Sequence, residues 1–391
     1  MSFLRNTYAV LRREVNRMAR LPMYWILTIV LPLVSFAFFA VMFYKGVPEH
    51  IPIAVLDEDQ TELSRQLVSM FGQTVTSDVR YEIQSMHEGE RMMREGKISA
   101  IVLIPSDFQK DILSNTQTHV VSYVSGMNIS VNGMLSKDLL TTVTTFSSGV
   151  QIQVLMKQGL TEAQAYQQMM PVRFDRHVLF NPYINYGYYL LPSFLPMMML
   201  IFALLSTIFA IGTELKGSTA GEWFETAGGS TWAMMVGKLL PIHLILLVMM
   251  LVMDFVMYVL VGVPLNGSFW ILLLAGIEFI LAYQMIGVLI VSVLSNMRLS
   301  LSIGGGYSVL AFTFSGLTFP LMAMGTGLKV FSCIFPFTFY TKIFVDQALR
   351  GAPIIYSIQD MGWMALFVIL PLLCLPRLRK IATDKTYWGR I

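Results

Sequence analysis

Long apolar runs constrain this sequence more than any other feature. A membrane helix needs about 20 predominantly apolar residues to cross the hydrocarbon core, and six stretches reach or approach that length. The predicted spans are residues 22–44, 189–212, 235–262, 270–294, 299–322 and 359–376. Only 13% of the 391 residues are charged, whereas soluble domains average about 25%. The sequence therefore predicts a polytopic α-helical membrane protein with six transmembrane helices.

The positions of lysine and arginine predict how these spans are oriented. Residues 1–21 contain five arginines and one acid, and the tail at 377–391 is also basic. Because basic flanks stay in the cytoplasm, both termini are predicted to be cytoplasmic, which agrees with an even number of spans. Leu4, Tyr8 and Leu11 recur at helical spacing among the arginines. Residues 1–21 are therefore predicted to form a cytoplasmic amphipathic helix on the inner leaflet.

Residues 45–188 are predicted to form an extracytoplasmic α/β domain between transmembrane helices 1 and 2. Four segments rich in valine and isoleucine are typical of strands. They are residues 51–57, 79–85, 99–105 and 118–124. Segments with helix start signals lie between them, and this alternation favours a βαβ arrangement.

Several kinds of chemistry have no motif in this sequence. It contains no GxxxxGK[ST] phosphate loop, no HExxH and no GxSxG, and its five histidines show no ligand spacing. The chain is therefore not expected to be an enzyme, to bind a metal or to hold a cofactor itself. The formal net charge of +3 is too small to indicate a nucleic-acid partner.

Two acids and a group of methionines fall inside the predicted spans. Asp254 and Glu278 are predicted at similar depths in helices 3 and 4, where a carboxylate is costly to bury. They could line a translocation pathway with the flexible side chains of Met253 and Met257. Three alternatives are a proton relay, a packing contact with a lysine of the next external segment, and a carboxylic acid that stays protonated. The candidate lysines are Lys329 and Lys342.

A polar segment at 213–234 separates helices 2 and 3. Its sequence ELKGSTAGEWFETA, at 214–227, predicts a short amphipathic helix along the inner membrane surface. The exposed face of this helix could dock a cytosolic protein, with Trp223 as an aromatic anchor. The alternative is a solvated helix that only lies on lipid.

Residues 323–350 form a second unusual segment. They are apolar enough to enter the membrane but are broken by glycines and by Pro336. A full crossing would place the basic C-terminus outside. The sequence therefore predicts a re-entrant hairpin before helix 6, at the outer face and covered by protein.

Four segments, taken in order, resemble one family: the permease subunits of type-2 ABC exporters, in the branch with a large external domain between the first two spans. They are VLDEDQTELSRQL (55–67), LFNPYINYGYYLLPSFLPMM (179–198), ELKGSTAGEWFETAGGSTWAMMVGKLLP (214–241) and SGLTFPLMAMGTGLKVFSCIFPFTFYTKIFVDQALRG (315–351). The sequence departs from the family pattern at Lys216, where relatives commonly carry an acid, and in TAGGSTW, where they often carry a proline.

The resemblance implies a role for the polar segment and a set of partners. Residues 213–234 would couple the chain to a separate ATP-binding cassette subunit, which would bind the ATP and Mg²⁺. The implied contact residues are Glu214, Lys216, Gly217, Ser218, Glu222, Trp223 and Glu225. A second permease copy or a close relative would complete a homodimer or heterodimer, and a periplasmic adaptor could meet the external domain.

The resemblance also implies a location and an activity. The location is the bacterial inner membrane, and the activity is export of a substrate, which the Met-rich spans suggest is amphipathic or lipophilic. Two other functions remain open from the residues alone. One is a non-transporting sensor or assembly protein whose external domain binds a ligand or protein. The other is a proton-coupled transporter that uses Asp254 and Glu278.

Overall fold

The computed structural model describes residues 2–44, 46–114, 116–169, 179, 181, 185–317 and 319–389. The chain divides into two compact units. Residues 47–177 form one unit, and residues 1–46 together with 178–391 form the other. Each unit is built around its own buried apolar side chains.

The chain begins with an amphipathic helix followed directly by an apolar one. Helix α1 (Ser2–Arg20) is followed by Leu21, whose extended backbone is typical of a residue before proline. Helix α2 (Pro22–Trp25) continues through a π-helical turn at Ile26–Val30 into α3 (Leu31–Met42). Residues 22–42 therefore form one apolar helix that is long enough to cross a membrane.

The unit of residues 47–177 contains a four-stranded sheet in the order β2-β1-β3-β4. The strands are β1 (Ile51–Asp57), β2 (Ser77–Glu82), β3 (Ala100–Ile104) and β4 (Val121–Val124). Strand β1 runs parallel to β2 and β3, whereas β4 runs antiparallel to β3. All four predicted strands are thus confirmed, with ends shifted by a few residues.

Helices cover both faces of this sheet. They are α4 (Glu62–Gly72), α5 (Met86–Arg94), α6 (Phe108–Leu113) and α7 (Ile129–Lys157), whereas α8 (Glu162–Met169) packs against α7. Ile53 and Val55 pack on one side of β1 with α4 and α7, and Ala54 and Leu56 pack on the other with α5. A strand buried on both faces explains the unbroken apolar run IPIAVL.

The other unit continues with helices α9 to α17. They are α9 (Tyr186–Lys216), α10 (Ala220–Thr226), α11 (Thr231–Phe255), α12 (Phe269–Leu294), α13 (Met297–Thr313), α14 (Thr326–Ser332), α15 (Pro336–Phe344), α16 (Ile354–Ile369) and α17 (Leu375–Thr383). π-helical turns extend α11 to Leu260 and α15 to Arg350, and a 3₁₀ turn joins α16 to α17.

Five helices among the described residues are long and apolar enough to span a membrane, and a bent pair could make a sixth. The five are Pro22–Met42, Tyr186–Lys216, Thr231–Leu260, Phe269–Leu294 and Ile354–Thr383. The predicted fifth span at 299–322 extends too far, because α13 ends at Thr313 after 17 residues. Gly316 follows with φ of 91°, a left-handed backbone that ends the helical path.

Helix α13 lies antiparallel to α9. At one end, Gly212 of α9 approaches Met297 so closely that an added methyl would lie 2.8 Å from the methionine side chain. At the other end, the Tyr189 hydroxyl donates a hydrogen bond to the Leu317 carbonyl at 2.6 Å. The two ends of α13 therefore lie at opposite ends of α9.

The predicted hairpin at 323–350 contains a sharp bend. Helix α14 and the α15 helix with its π-turn meet at 91°. Pro336 opens α15, where its missing N–H costs nothing because the first helical position has no intrahelical partner. The far end of the hairpin contacts the loop between α11 and α12, since Asn266 Nδ2 donates to the Leu349 carbonyl at 2.7 Å.

Candidate functional site

The polar segment 213–234 forms a compact turn between two apolar helices. It comprises the last turn of α9, the short helix α10 and the start of α11. Ser218 turns the chain after α9 through a left-handed backbone, with φ of 57°. Ser230 then caps α11 by accepting a hydrogen bond from the Ala233 N–H. The predicted short helix is present, but its packing differs from the prediction.

Glu214, in the last turn of α9, lies at the centre of a buried charge cluster. Its fully buried carboxylate accepts two hydrogen bonds from the Arg13 guanidinium, at 2.5 and 3.0 Å. Arg17 Nη1 lies 2.6 Å from Glu214 Oε2, and the Thr219 hydroxyl donates to the same carboxylate. Because both arginines belong to α1, Glu214 holds the N-terminal helix against the end of α9.

Lys238 extends this cluster into α11. Its ammonium is fully buried and donates to Glu14 Oε2 at 2.5 Å and to Glu214 Oε1 at 2.8 Å. The Tyr24 hydroxyl donates to the other oxygen of Glu14 at 2.5 Å. A buried ammonium is costly unless it is paired and hydrogen-bonded. The two glutamates supply both partners within an otherwise apolar region.

Trp223 joins the short helix α10 to the same cluster. Its side chain is 1% exposed, and its indole N–H donates to the Met234 carbonyl at 3.1 Å. Lys238 Nζ lies 4.7 Å from the centroid of its ring, which is a cation–π distance. Trp223 therefore attaches α10 to α11 through a hydrogen bond, a charge contact and packing.

We call Arg13, Glu14, Arg17, Glu214 and Lys238 the ion cluster. It contains three cations and two anions; the arginine side chains are about one-fifth exposed and the other three are at most 1% exposed. Removing one partner from a buried ion pair typically costs about 3–5 kcal/mol, because the remaining charge stays buried without compensation. The cluster thus ties α1, α9 and α11 together at one end of the unit.

Close backbone packing reinforces this contact between α1 and α11. Val10, Glu14 and Met18 form a buried face on α1. An added methyl on Gly237 of α11 would lie 2.7 Å from the Thr7 carbonyl oxygen. The prediction that α1 lies only on the membrane surface is therefore incomplete, because one of its faces is part of the protein interior.

The residues predicted to contact a partner fall into two groups. The exposed ones are Lys216, Gly217, Ser218, Glu222 and Glu225. Glu214 and Trp223, which the sequence placed on the docking face, are instead buried within the chain. Neither side chain is available as a surface anchor, because each is enclosed by α1 and α11. A contact between this segment and a partner stays a prediction for the exposed group.

The C-terminal tail also packs against the polar segment. The Gly389 N–H donates to the Leu215 carbonyl at 2.9 Å. The Arg379 guanidinium lies 5.7 Å from the Phe224 ring centroid, and α17 contacts α10. Helix α1 and the tail therefore meet at the same segment, at one end of this unit.

Asp254 and Glu278 are not brought together as a pair. Within the described part of the chain, neither carboxylate has a hydrogen-bond or salt-bridge partner. Glu278 lies two residues, roughly 200° around the helix, from Gly276, which contacts Met250 of α11. Glu278 therefore points away from α11. The alternative contact with Lys329 or Lys342 is therefore absent from the described residues, and Lys342 lies 3.8 Å from Asp360 instead.

The methionines predicted to line a pathway lie in the protein interior. Met253 and Met257 are fully buried among the apolar side chains of this unit, and Asp254 is 7% exposed. None of the three faces open space in this conformation. Their role in a pathway stays a prediction.

Two signals in the sequence point to the ion cluster. Lys238 lies inside a long apolar run, where a charge is costly and requires a partner. Glu14 is the single acid among five arginines of the first helix. These signals show that partners are needed, but they do not show that the partners are separated by 224 residues along the chain.

Comparisons with known proteins agree with this architecture. The family model described as "ABC-2 family transporter protein" matches residues 22–375. The chain is 20% identical to the "Probable multidrug ABC transporter permease YbhS" of Escherichia coli (strain K12) over 353 residues, which cover 89% of each protein. The protein of the same name from Escherichia coli O157:H7 matches with the same identity and coverage.

Proposed function

This chain belongs to the ABC-2 family of transporter proteins, and from that membership we propose that it is the permease subunit of an ATP-driven exporter. The family implies a multi-pass membrane protein and an ATP-binding cassette partner. The single observation that carries the proposal is the family match over residues 22–375, which includes every candidate span up to α16. ATP and Mg²⁺ would bind to the partner subunit. The transporter would lie in the bacterial inner membrane.

We infer that the substrate is amphipathic or lipophilic and leaves from the cytoplasm or the inner leaflet. Two observations support this class. The spans are lined by apolar and methionine side chains, with few charges, and flexible methionines adapt to varied apolar ligands. The relative from Escherichia coli carries the name of a multidrug permease.

The exposed face of the polar segment is the proposed contact with the ATP-binding subunit. Lys216, Glu222 and Glu225 project from it, and Glu222 is 73% exposed. Movement of that subunit would push on α10. The ion cluster would pass the movement to α9 and α11, because a cluster this costly to break transmits force better than a flexible loop.

A second permease copy, or a close relative, would complete the transporter. In their most apolar parts, only 22% of the residues in Pro22–Met42 and in Ile354–Thr383 are buried, compared with 72% in α9. These two helices therefore offer apolar surface to lipid or to another subunit. A dimer with two-fold symmetry is the commonest form of homo-oligomer.

The unit of residues 47–177 is the proposed extracytoplasmic domain. It is inserted between the first two spans, so it must lie on the side opposite α1 if residues 22–42 cross the membrane. Its edge strand β4 exposes Val121 and Tyr123. An exposed edge strand is a ready contact for a periplasmic adaptor.

Co-purification tests the proposed coupling face. The full chain is expressed with its native neighbours, extracted in mild detergent and analysed for bound ATP-binding cassette subunits. We expect Glu222→Lys with Glu225→Lys to reduce the bound ATPase severalfold, because the exposed face carries these acids. The matched control, Glu58→Lys with Glu62→Lys, reverses two exposed acids of the other unit. Equal ATPase binding by both variants, or no ATPase with the wild type, would contradict the proposal.

A further inference from the structure

We propose that the arginine face of α1 binds the headgroup phosphates of anionic phospholipids in the cytoplasmic leaflet. Arg5, Arg12 and Arg20 are exposed, and no described residue offers them an acidic partner. Arg13 and Arg17, by contrast, are already paired with Glu214. The three outer arginines therefore carry positive charge that nothing in the described chain neutralises.

These arginines share a groove and one side of the helix. Together with Arg13 and Arg17, which pair with Glu214, they line an open depression of about 530 Å³ between the side chains of α1. At roughly 100° per residue, the three arginines fall within a sector of about 80°. At about 1.5 Å per residue, successive arginines of the three are about 10 and 12 Å apart along the helix axis. Each guanidinium can therefore pair with the phosphate of a separate headgroup through charge-assisted hydrogen bonds.

An apolar strip beside the arginines favours a lipid over a soluble protein as the occupant. Leu4, Tyr8 and Val15 are 74%, 64% and 46% exposed. They fall within a sector of about 40° next to the arginine sector. A helix with adjacent apolar and basic strips lies in the membrane interface, with its apolar strip among acyl chains and its cations at the headgroups.

The position of α1 along the chain supports the same occupant. Arg20 precedes the apolar helix of residues 22–42 by a single residue, Leu21. The arginine strip is therefore held at the depth where a span enters the membrane. Basic residues at this depth attract anionic lipids, and each one adds to the affinity. This inference does not depend on transport or on an ATPase, so it can fail or succeed separately from the proposed function.

Lipid association of the purified full chain tests the site. The chain is reconstituted in nanodiscs of phosphatidylcholine with increasing phosphatidylglycerol, and the immobilised fraction of spin-labelled phosphatidylglycerol is compared with that of spin-labelled phosphatidylcholine. The test variant is Arg5→Gln with Arg12→Gln and Arg20→Gln. The matched control, Arg298→Gln with Lys380→Gln and Lys385→Gln, removes the same charge from exposed positions near the basic end of the chain and the α12–α13 turn.

We expect the test variant to bind phosphatidylglycerol roughly ten- to a hundred-fold more weakly, and the control to keep the preference. If the triple variant does not fold, the single variant Arg12→Gln takes its place. Arg12→Gln should weaken the binding of phosphatidylglycerol by a smaller factor. Equal loss in test and control, or no loss in either, would overturn the proposal.

Two further arms distinguish other occupants. If inorganic phosphate displaces the labelled lipid, the groove is a site for free anions, and the assignment to lipid is wrong. If the test variant keeps its lipid preference but loses a co-purifying ATPase subunit, the arginine face is a protein contact, and the assignment is again wrong.

Discussion

At the scale of single residues, the position of Glu214 changes the expected result of mutating the polar segment. The family resemblance implied that Glu214 contacts the ATP-binding subunit. The structure shows it fully buried beside Arg13, Arg17 and Lys238. Loss of its charge must therefore affect the fold as well as any partner contact.

Glu214→Gln should destabilise the unit that contains the spans. Three buried or partly buried cations would be left with only Glu14, and we expect a loss of about 3–5 kcal/mol in the free energy of unfolding. The midpoint of thermal unfolding of the purified chain in detergent measures this effect. Glu222→Gln is the control, because Glu222 is 73% exposed and lies 3.9 Å from Arg13. An unchanged midpoint for Glu214→Gln would show that the ion cluster does not hold the helices.

Glu14 and Lys238 should behave as a coupled pair. Their side chains meet at 2.5 Å and are at most 1% exposed, so Glu14→Gln and Lys238→Met should not be additive. We expect a coupling of about 0.5–3 kcal/mol in a double-mutant cycle on unfolding. Lys238→Met combined with Glu90→Gln is the comparison, because Glu90 lies in the other unit. Additive effects in both cycles would rule out a direct ionic contact.

At the scale of elements, the sequence predicted regular structure well where one physical signal dominates. The strand β1 follows from an unbroken run of apolar residues, and α8 follows from Thr161, whose hydroxyl and backbone N–H both bond Gln164 as in a capping box. The start of α4 was predicted wrongly. The sequence Asp59-Gln-Thr-Glu62 has the spacing of a capping box and predicts a cap at Asp59. The observed cap is Thr61 paired with Ser64, because several short polar side chains compete for the same N–H groups.

The candidate site was far less predictable than the elements. The sequence indicated that 213–234 is a helical turn and which residues are polar. It could not indicate which face of that turn is buried, since burial here depends on α1, a helix about 200 residues away. A local pattern shows that a helix is amphipathic, but not whether lipid, a partner or the same chain covers its apolar face.

The contact between α1 and α11 makes a prediction at this scale. Gly237→Ala would place a methyl 2.7 Å from the backbone oxygen of Thr7, which cannot rotate away. We expect α1 to shift, at a cost of about 1–3 kcal/mol, and trypsin to cleave faster at the arginines of α1. Gly149→Ala in α7 is the control, because nothing lies within 4 Å of an added methyl there. Equal cleavage of the two variants would contradict the close contact.

At the scale of the whole molecule, the contacts of the helix ends support an even number of crossings. Helix α1 and the C-terminal tail both contact the polar segment, so they lie at the same end of this unit. Leu317 lies at the opposite end of α9, and Leu349 contacts the loop after α11. The start and the end of the bent hairpin should therefore both lie on the face opposite α1. In this arrangement α13 would be the fifth crossing and the hairpin would be re-entrant.

Labelling of single cysteines from one side of the membrane tests this arrangement. In a chain with Cys333→Ser and Cys374→Ser, a membrane-impermeant maleimide applied from the periplasmic side should label Met322→Cys and Arg350→Cys equally. Both positions are well exposed, at 87% and 61%, and they flank the hairpin. A hairpin that crosses completely would place them on opposite faces, so only one would be labelled.

Two reference positions make the labelling result decisive. Lys110→Cys, in the unit of residues 47–177, should be labelled from outside, and Lys385→Cys, in the tail, only after permeabilisation; both positions are exposed. If the two references react from the same side, the first span does not separate the units and the exporter topology is wrong. A third outcome is that the two references react from opposite sides and that Met322→Cys and Arg350→Cys also react from opposite sides. The family assignment would then stand, but the hairpin would cross the membrane and would not be re-entrant. Because α13 has only 17 residues, about 26 Å of helix, its crossing would then have to be reassigned to the bent pair.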